Sequence, residues 1–239
     1  MQNTENFRNP EKIRSMFSKV AGKYDLANSV LSMGIHHIWR KQIVSWSEAN
    51  NGMSVLDCAT GTGDLAIEFK KAVGTGNVVG TDFCAEMLEP APAKAAAKKM
   101  DISFQQADVT ELPFENEQFD ISSISFGIRN VGNPIQGLKE LARVVKPGGK
   151  VMVLEFGQPK NKAFAGVYNF YSQNILPKIG GLITGEQGAY KYLQDSSAEF
   201  PCADDFLTWA ESTDEFSRVE YRSLSGGIAY MYKLVKKQA

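Results

Sequence analysis

The strongest chemical signal in the chain is one short run, Asp57-Cys58-Ala59-Thr60-Gly61-Thr62-Gly63-Asp64, set between an apolar segment and an amphipathic one. Glycines at such a junction let the backbone approach a ligand closely and adopt positive φ. In open α/β sheets this places the ligand beyond the carboxyl ends of the strands. Spacing alone leaves two cofactors open. Gly61-x-Gly63-x-x-Ala66 also fits the dinucleotide fingerprint, with Asp82 at the distance of a ribose-binding acid. The neighbouring charges favour the other cofactor, S-adenosylmethionine. Asp57 ends the first predicted strand, where a carboxylate can meet a cationic amino-acid end, whereas a pyrophosphate needs N–H donors and the positive end of a helix. Asp82 ends the second predicted strand, where it suits ribose hydroxyls, and Asp108 follows the third, where it suits an adenine amino group. Acids at three successive strand ends match a sulfonium better than a pyrophosphate. The plainer role for Asp82 and Asp108 is helix capping.

The elements that must hold these residues are legible from periodicity. Up to about Asn50 the apolar residues recur at helical spacing (Ile13, Met16, Phe17, Val20; Ile35, Ile38, Trp39, Ile43, Trp46), interrupted by a polar, irregular stretch over Lys23–Asn28. Strands are predicted at Ser54–Asp57, Asn77–Thr81, Ile102–Gln105, Phe119–Phe126 and Lys150–Phe156, alternating with helices. Pro90 and Pro92 require the helix after strand two to start late, with Pro92 in its first turn after an irregular Glu86–Glu89 segment, because an interior proline costs about 3 kcal/mol. Asn133 and Pro134 open the next helix, and Lys146-Pro147-Gly148-Gly149 turns into strand five. The alternation implies a mainly parallel sheet covered on both faces. It stops over residues 157–201, an aromatic and glycine-bearing stretch long enough to form helices of its own over the sheet. A helix near Asp204–Glu211 and a hairpin of Arg218–Ser223 and Ile228–Val235 around Gly226-Gly227 close the chain, which reads as a single domain over 1–239.

Composition removes whole classes of function. The formal net charge of −1 supplies no electrostatic term for nucleic acid. Cys58, Cys84 and Cys202 are too far apart for a disulfide framework or a zinc cluster, and His36 and His37 are the only histidines, so no metal is expected. Reduced cysteines point to the cytoplasm. The first fifteen residues lack a secretory pattern, and no run approaches the roughly 20 apolar residues needed to span a bilayer. Membrane contact is therefore expected to be peripheral. Self-association is left open.

Larger motifs resemble a known family. Tyr24-Asp25-x-x-Asn28-x-x-Leu31-Ser32-x-Gly34-x-His36-x-x-Trp39 is similar to the N-terminal signature of the UbiE-type ubiquinone/menaquinone biosynthesis methyltransferases. Arg143 through Gly149, running on to Leu154-Glu155-Phe156, resembles their second signature, and Ser125–Asn130 and Ala189–Leu193 also look like theirs. The resemblance extends from Ile13 onward. It implies the class I methyltransferase, Rossmann-like α/β fold: a mostly parallel seven-stranded sheet, helices on both faces and a closing antiparallel hairpin. It also implies C-methylation of a polyprenylated quinol ring, with demethylmenaquinol to menaquinol first in line, and cofactor contacts at Thr62, Asp82, Asp108, Val109 and Ser125. Gly157 departs from the usual serine and bears on the floor of the substrate pocket, while Pro90 and Pro92 interrupt a helix usually intact.

A quinol carbon becomes nucleophilic as its neighbouring hydroxyl loses a proton, so a catalyst must stabilise a developing phenolate. Arg129 is the candidate for that charge, with Asn130 orienting it. Arginine is too basic to take the proton, which falls to a water or to Tyr24. His36, His37 and Trp39 read as packing residues. The aromatic stretch from Phe164 to Phe200 is a candidate lining for the polyprenyl tail. Two other readings stay open: an NAD-dependent oxidoreductase, on the glycine spacing, and a non-catalytic quinone-binding protein.

Overall fold

Helical periodicity before Asn50 becomes three helices, α1 (Pro10–Val20), α2 (Tyr24–Leu31) and α3 (Ile35–Ser47), in a computed structural model that describes residues 9–238. The reading of residues 1–8 as free of a secretory leader lies outside the described residues. The stretch expected to be irregular is mostly helix α2. Asp25 sits in its first turn, where a carboxylate complements the helix dipole, and Ala27 is buried against the rest of the molecule.

Seven strands follow: β1 (Val55–Cys58), β2 (Val78–Asp82), β3 (Ser103–Gln106), β4 (Phe119–Ser125), β5 (Val145–Phe156), β6 (Phe216–Leu224) and β7 (Ala229–Lys236). They form one sheet in the order β3-β2-β1-β4-β5-β7-β6. The first five pair in parallel, and β7 lies antiparallel between β5 and β6. β1 lies inside the sheet between β2 and β4 and is buried along its whole length, so its acid, Asp57, is buried with its apolar residues. The Lys146–Gly149 turn is absorbed into β5. Val145 still pairs with Phe119 but Lys150 pairs with Ile121, so the extra residues bulge and the strand resumes register with β4 beyond them.

Helices α4 (Asp64–Val73), α5 (Ala85–Leu88), α6 (Ala91–Ala97) and α7 (Pro134–Arg143) connect the parallel strands. The prolines act as expected on α6, whose first turn contains Pro92, but the segment before it is a helical turn that buries Met87 and Leu88. Asn133 caps α7 by accepting from Gln136 N. Residues 157–201 form α8 (Lys162–Phe170), a π-helical turn (Tyr171–Ile175), α9 (Leu176–Thr184) and α10 (Gln187–Glu199), and α11 (Asp204–Ser212) leads to β6.

Each sheet face has its own core, because side chains alternate along a strand. Val55, Ile121, Met152 and Leu154 pack with Trp39 and Ile43 of α3 and Phe69 of α4. Leu56, Ile124 and Val153 pack with Leu138 and Leu141 of α7 and Phe206 of α11. Helices α8 to α10 instead cover the carboxyl end of the strands. Tyr171 Oη donates to Leu31 O at 2.7 Å, and Tyr192 Oη donates to Asn130 Oδ1 at 2.9 Å. Among the described residues no helix is long and apolar enough to cross a membrane.

Candidate active site

The glycine turn is held from both sides. Gly61 N donates to Asp82 Oδ2 at 2.8 Å and Thr60 N to Thr81 O at 2.9 Å, tying the turn to β2. Gly63 has φ +84° at the entrance to α4, and a Cβ there would press on Phe104 and Ala91 at 3.1–3.2 Å, so both conformation and space require glycine. Asp57 does not reach the ligand side. It is fully buried and accepts from Thr60 Oγ1 at 2.6 Å and Ser123 Oγ at 2.7 Å, the latter on the residue directly beside it in β4. Burial pushes its carboxyl up to about 6, and the two hydroxyls hold it back only in part. Asp57 therefore braces the turn to β4, in place of the direct meeting with a cationic ligand expected of it. Thr62 also faces elsewhere, donating to Asp25 Oδ1 at 2.7 Å under the N-terminal helices.

Above the turn lies a cavity of about 660 Å³, with Gly61, Asp82, Asp108, Val109, Ser125 and Asn130 in its wall. Asp82 also accepts from Cys84 N at 2.9 Å, and burial raises its carboxyl above the usual range. Asp108 Oδ1 accepts from Thr110 N and Oγ1, both at 2.8 Å. Glu111 adds a further acid to the wall, against a single arginine, Arg14. Ser125 Oγ is buried here without a hydrogen-bond partner. An acid-rich wall with an orphaned hydroxyl fits a cationic ligand bearing hydroxyls and amines, and opposes a pyrophosphate.

A second cavity, about 710 Å³, lies under the helical cover. Trp39, Phe156, Tyr168, Tyr171, Tyr190 and Tyr192 give it an aromatic wall, in which Arg129 and His36 stand. The two cavities share Phe17, Tyr24 and Phe126. Phe126 follows the last residue of β4 with φ +55°, a conformation costly for a bulky side chain and typical of functional sites. Its ring rests on Phe156 at 4.4 Å between centroids. The chain can turn there because residue 127 is glycine, where a Cβ would collide with Ala59.

Arg129 is 5% exposed and pairs with Glu155, itself wholly buried, through Nη1 and Oε1 at 2.6 Å. The same nitrogen donates to Phe126 O at 2.6 Å, and Nε is buried without a partner. Glu155 also accepts from Phe156 N at 2.8 Å; burial raises its carboxyl and Arg129 opposes the rise. Asn130 shares the Phe126 carbonyl, donating at 3.4 Å, but faces the acid-lined cavity while Arg129 faces the aromatic one. The two thus reach opposite chambers from adjacent positions.

The model of the ubiE/COQ5 methyltransferase family matches residues 5–236. This chain belongs to that family. The methyltransferase is 65% identical over 225 residues to the ubiquinone/menaquinone biosynthesis C-methyltransferase UbiE of Bdellovibrio bacteriovorus, covering 94% of this chain and 96% of that one. It is 40% identical to the demethylmenaquinone methyltransferase of Deinococcus radiodurans, over 93% and 91% of the two chains. Among solved structures, a SAM-dependent methyltransferase from Thermotoga maritima superposes with a TM-score of 0.64 at 17% identity, over 93% of this chain and 99% of that one. That likeness shows the class I methyltransferase fold. Neither the oxidoreductase nor the non-catalytic reading finds support in these relatives.

Several parts of the site escaped the reading of the methyltransferase's sequence. Phe17 and Phe126 form the shared wall, and Glu155 anchors Arg129 from 26 residues away. The Ser125–Asn130 motif marked the region, but nothing local signalled the positive φ of Phe126. Gly157, expected at the floor of a substrate pocket, does not line the aromatic cavity: a side chain there would meet the ring of Tyr230, in the core behind it.

Proposed function

We propose that this methyltransferase transfers a methyl group from S-adenosylmethionine to a ring carbon of a polyprenylated quinol, the demethylated naphthoquinol that precedes menaquinone being its main substrate. The observation that carries the reading is the shared wall of Phe17, Tyr24 and Phe126, which joins an acid-lined cavity to an aromatic one. The names of the two curated relatives support the substrate class.

S-adenosylmethionine supplies an electrophilic methyl carbon when bound. Asp82 is assigned the ribose hydroxyls, Asp108 and Val109 the adenine, and the Ser125 hydroxyl a polar group that completes its hydrogen bonding. Gly61 and Gly63 shape the turn, Asp57 braces it, and Thr62 ties it to α2. Displacement at a methyl carbon is in-line, so alignment across the shared wall and exclusion of water supply much of the rate. Arg129 stabilises the phenolate that develops as the quinol hydroxyl loses its proton, and Asn130, held by Tyr192, sets the chain from which it projects. With the sulfur leaving as a neutral thioether, the hydrogen on the methylated ring carbon is lost as the ring regains its aromaticity and its hydroxyl. One proton is therefore released per turnover, and Tyr24 stands in the shared wall, where it or a water carries that proton. Exposed apolar residues on the cover, Val167, Phe170 and Leu182, form a surface for reversible contact with the membrane that holds the substrate.

The test is incubation with methyl-labelled S-adenosylmethionine and a panel of short-tailed demethylated naphthoquinols and benzoquinols. Label should enter the naphthoquinol ring. Transfer to neither ring overturns the reading, and transfer to benzoquinols alone reassigns the substrate.

A further inference from the structure

His36 stands in the first turn of α3, in the aromatic wall of the second cavity, and is 5% exposed. Its Nδ1 lies 2.5 Å from Ser32 Oγ. The serine decides which atom carries the proton. A hydroxyl has one hydrogen to donate, and Ser32 donates it to Asn28 O at 2.7 Å. Ser32 Oγ can only accept from the ring, so Nδ1 carries the hydrogen and Nε2 keeps its lone pair. Burial first, then the charges of Arg40 and His37, lower the imidazole to about 4 against the opposing pull of Asp64 and Asp25. The ring is therefore neutral at pH 7, with Nε2 an acceptor only. His37 and Asp64 lie close to it, but Asp64 is already paired with Arg40 at 2.6 Å and with Lys94.

An acceptor-only nitrogen on a residue that lines the aromatic cavity can distinguish the two redox states of the ring. A quinol presents hydroxyl donors. A quinone presents carbonyl oxygens, whose lone pairs would face that of Nε2. We propose that His36 Nε2 accepts a hydrogen bond from a ring hydroxyl of the substrate and selects the quinol over the quinone. Arg129, the charged donor in the same wall, serves the oxygen that becomes anionic. The selection serves the chemistry, because only the reduced ring has a carbon nucleophilic enough to take a methyl group. A site that hydrogen-bonds a substrate hydroxyl rejects analogues lacking it, since its own polar group is then left unpaired.

The inference rests on the quinol cavity of the proposed function and is tested by binding alone. A short-tailed demethylnaphthoquinol, kept reduced under anaerobic conditions, and its quinone are titrated into the wild-type protein, His36→Phe and Ser32→Ala. The wild type should prefer the quinol by about tenfold or more, the value of one hydrogen bond to a buried group. His36→Phe should bind both forms within about twofold. Ser32→Ala, which frees Nδ1 from its fixed acceptor and lets the other tautomer form, should fall between. A wild type without preference, or His36→Phe that retains it, overturns the inference while leaving the cavity assignment standing. Binding of neither ring by the wild type overturns the cavity assignment and the inference together. Should His36→Phe fail to fold, an undiminished preference in Ser32→Ala overturns the inference.

Discussion

The two chambers of the site are built from opposite materials. The acid-lined side, proposed for the cofactor, is the edge of a parallel sheet, where Asp57 and Asp82 are fixed by hydroxyls and backbone N–H groups from neighbouring elements. The aromatic side, which we propose takes the quinol, is roofed by α8 to α10, attached to the body through apolar packing and hydrogen bonds such as those of Tyr171 and Tyr192. The sheet edge hides its apolar surface in two cores, whereas the cover leaves Leu182 88% and Val167 69% exposed. A small charged ligand needs groups placed to within a fraction of an ångström, and strand ends provide that. A long apolar tail needs volume and water exclusion, which a repackable aromatic cover provides. Arg129 belongs to both regimes, because it projects into the aromatic chamber from the rigid end of the sheet.

The largest expected effect comes from breaking that link. Arg129→Ala leaves Glu155 as an unpaired buried carboxylate, so stability should fall by about 3–5 kcal/mol in urea denaturation. Single-turnover methylation at saturating cofactor should slow by roughly 10²–10³. Arg129→Met combined with Glu155→Gln should recover most of the stability and none of the rate. A double variant that recovers both would make the pair structural. Arg129→Lys keeps the charge, loses the fork geometry and should retain partial rate.

On the cofactor side, Asp82→Asn should weaken S-adenosylmethionine binding by about 1.5–3 kcal/mol in calorimetry, the loss of charge-assisted hydrogen bonds, with quinol affinity little changed. Unchanged cofactor affinity in a folded variant removes Asp82 from the site.

The chambers should also differ in their response to pH. Asp57 has a folded value of about 6 against 3.8 for a free carboxyl, so its contribution is present below pH 3.8 and lost as pH rises through 6. His36 has a folded value of about 4 against 6.5, so its contribution is present above pH 6.5 and lost as pH falls towards 4. The two oppose each other in the window where they overlap. In chemical denaturation from pH 4 to 7, Asp57→Asn should steepen the loss of stability on acidification, and His36→Phe should reduce or reverse it, each by about 1–3 kcal/mol. Parallel profiles for both variants and the wild type would contradict these assignments.

The smallest effect is expected at the cover surface. Leu182→Ser with Phe170→Ser should lower flotation with liposomes that hold a polyprenyl substrate by a few-fold, with cofactor affinity unchanged. Equal flotation would place the membrane contact elsewhere.

Patterns that lie close together along the chain were legible without coordinates. The strand and helix alternation after Met53, the turn at Gly61 and Gly63, the Asn133 cap and the closing hairpin each depend on neighbouring residues, whose periodicity and backbone preferences act locally. The positions of Asp82 and Asp108 in the cavity wall follow from the same logic, because a strand end in a parallel sheet is a known place. Other features depend on contacts between distant segments. Asp57 turns inward because β4 sets Ser123 beside it, across 66 residues of chain. Helix α2 replaces the expected irregular stretch, with Asp25 bonded to Thr62 and to Lys94 at 2.7 Å. The partner of Arg129, the strained turn at Phe126 and the meeting of two cavities at Phe17, Tyr24 and Phe126 exist only once the strands are assembled and the N-terminal helices pack beside their ends. Burial is what gives these groups their properties, and burial belongs to the assembled tertiary structure: an acid or histidine acquires its charge state and free lone pair only when distant segments exclude water and take its other hydrogen bonds.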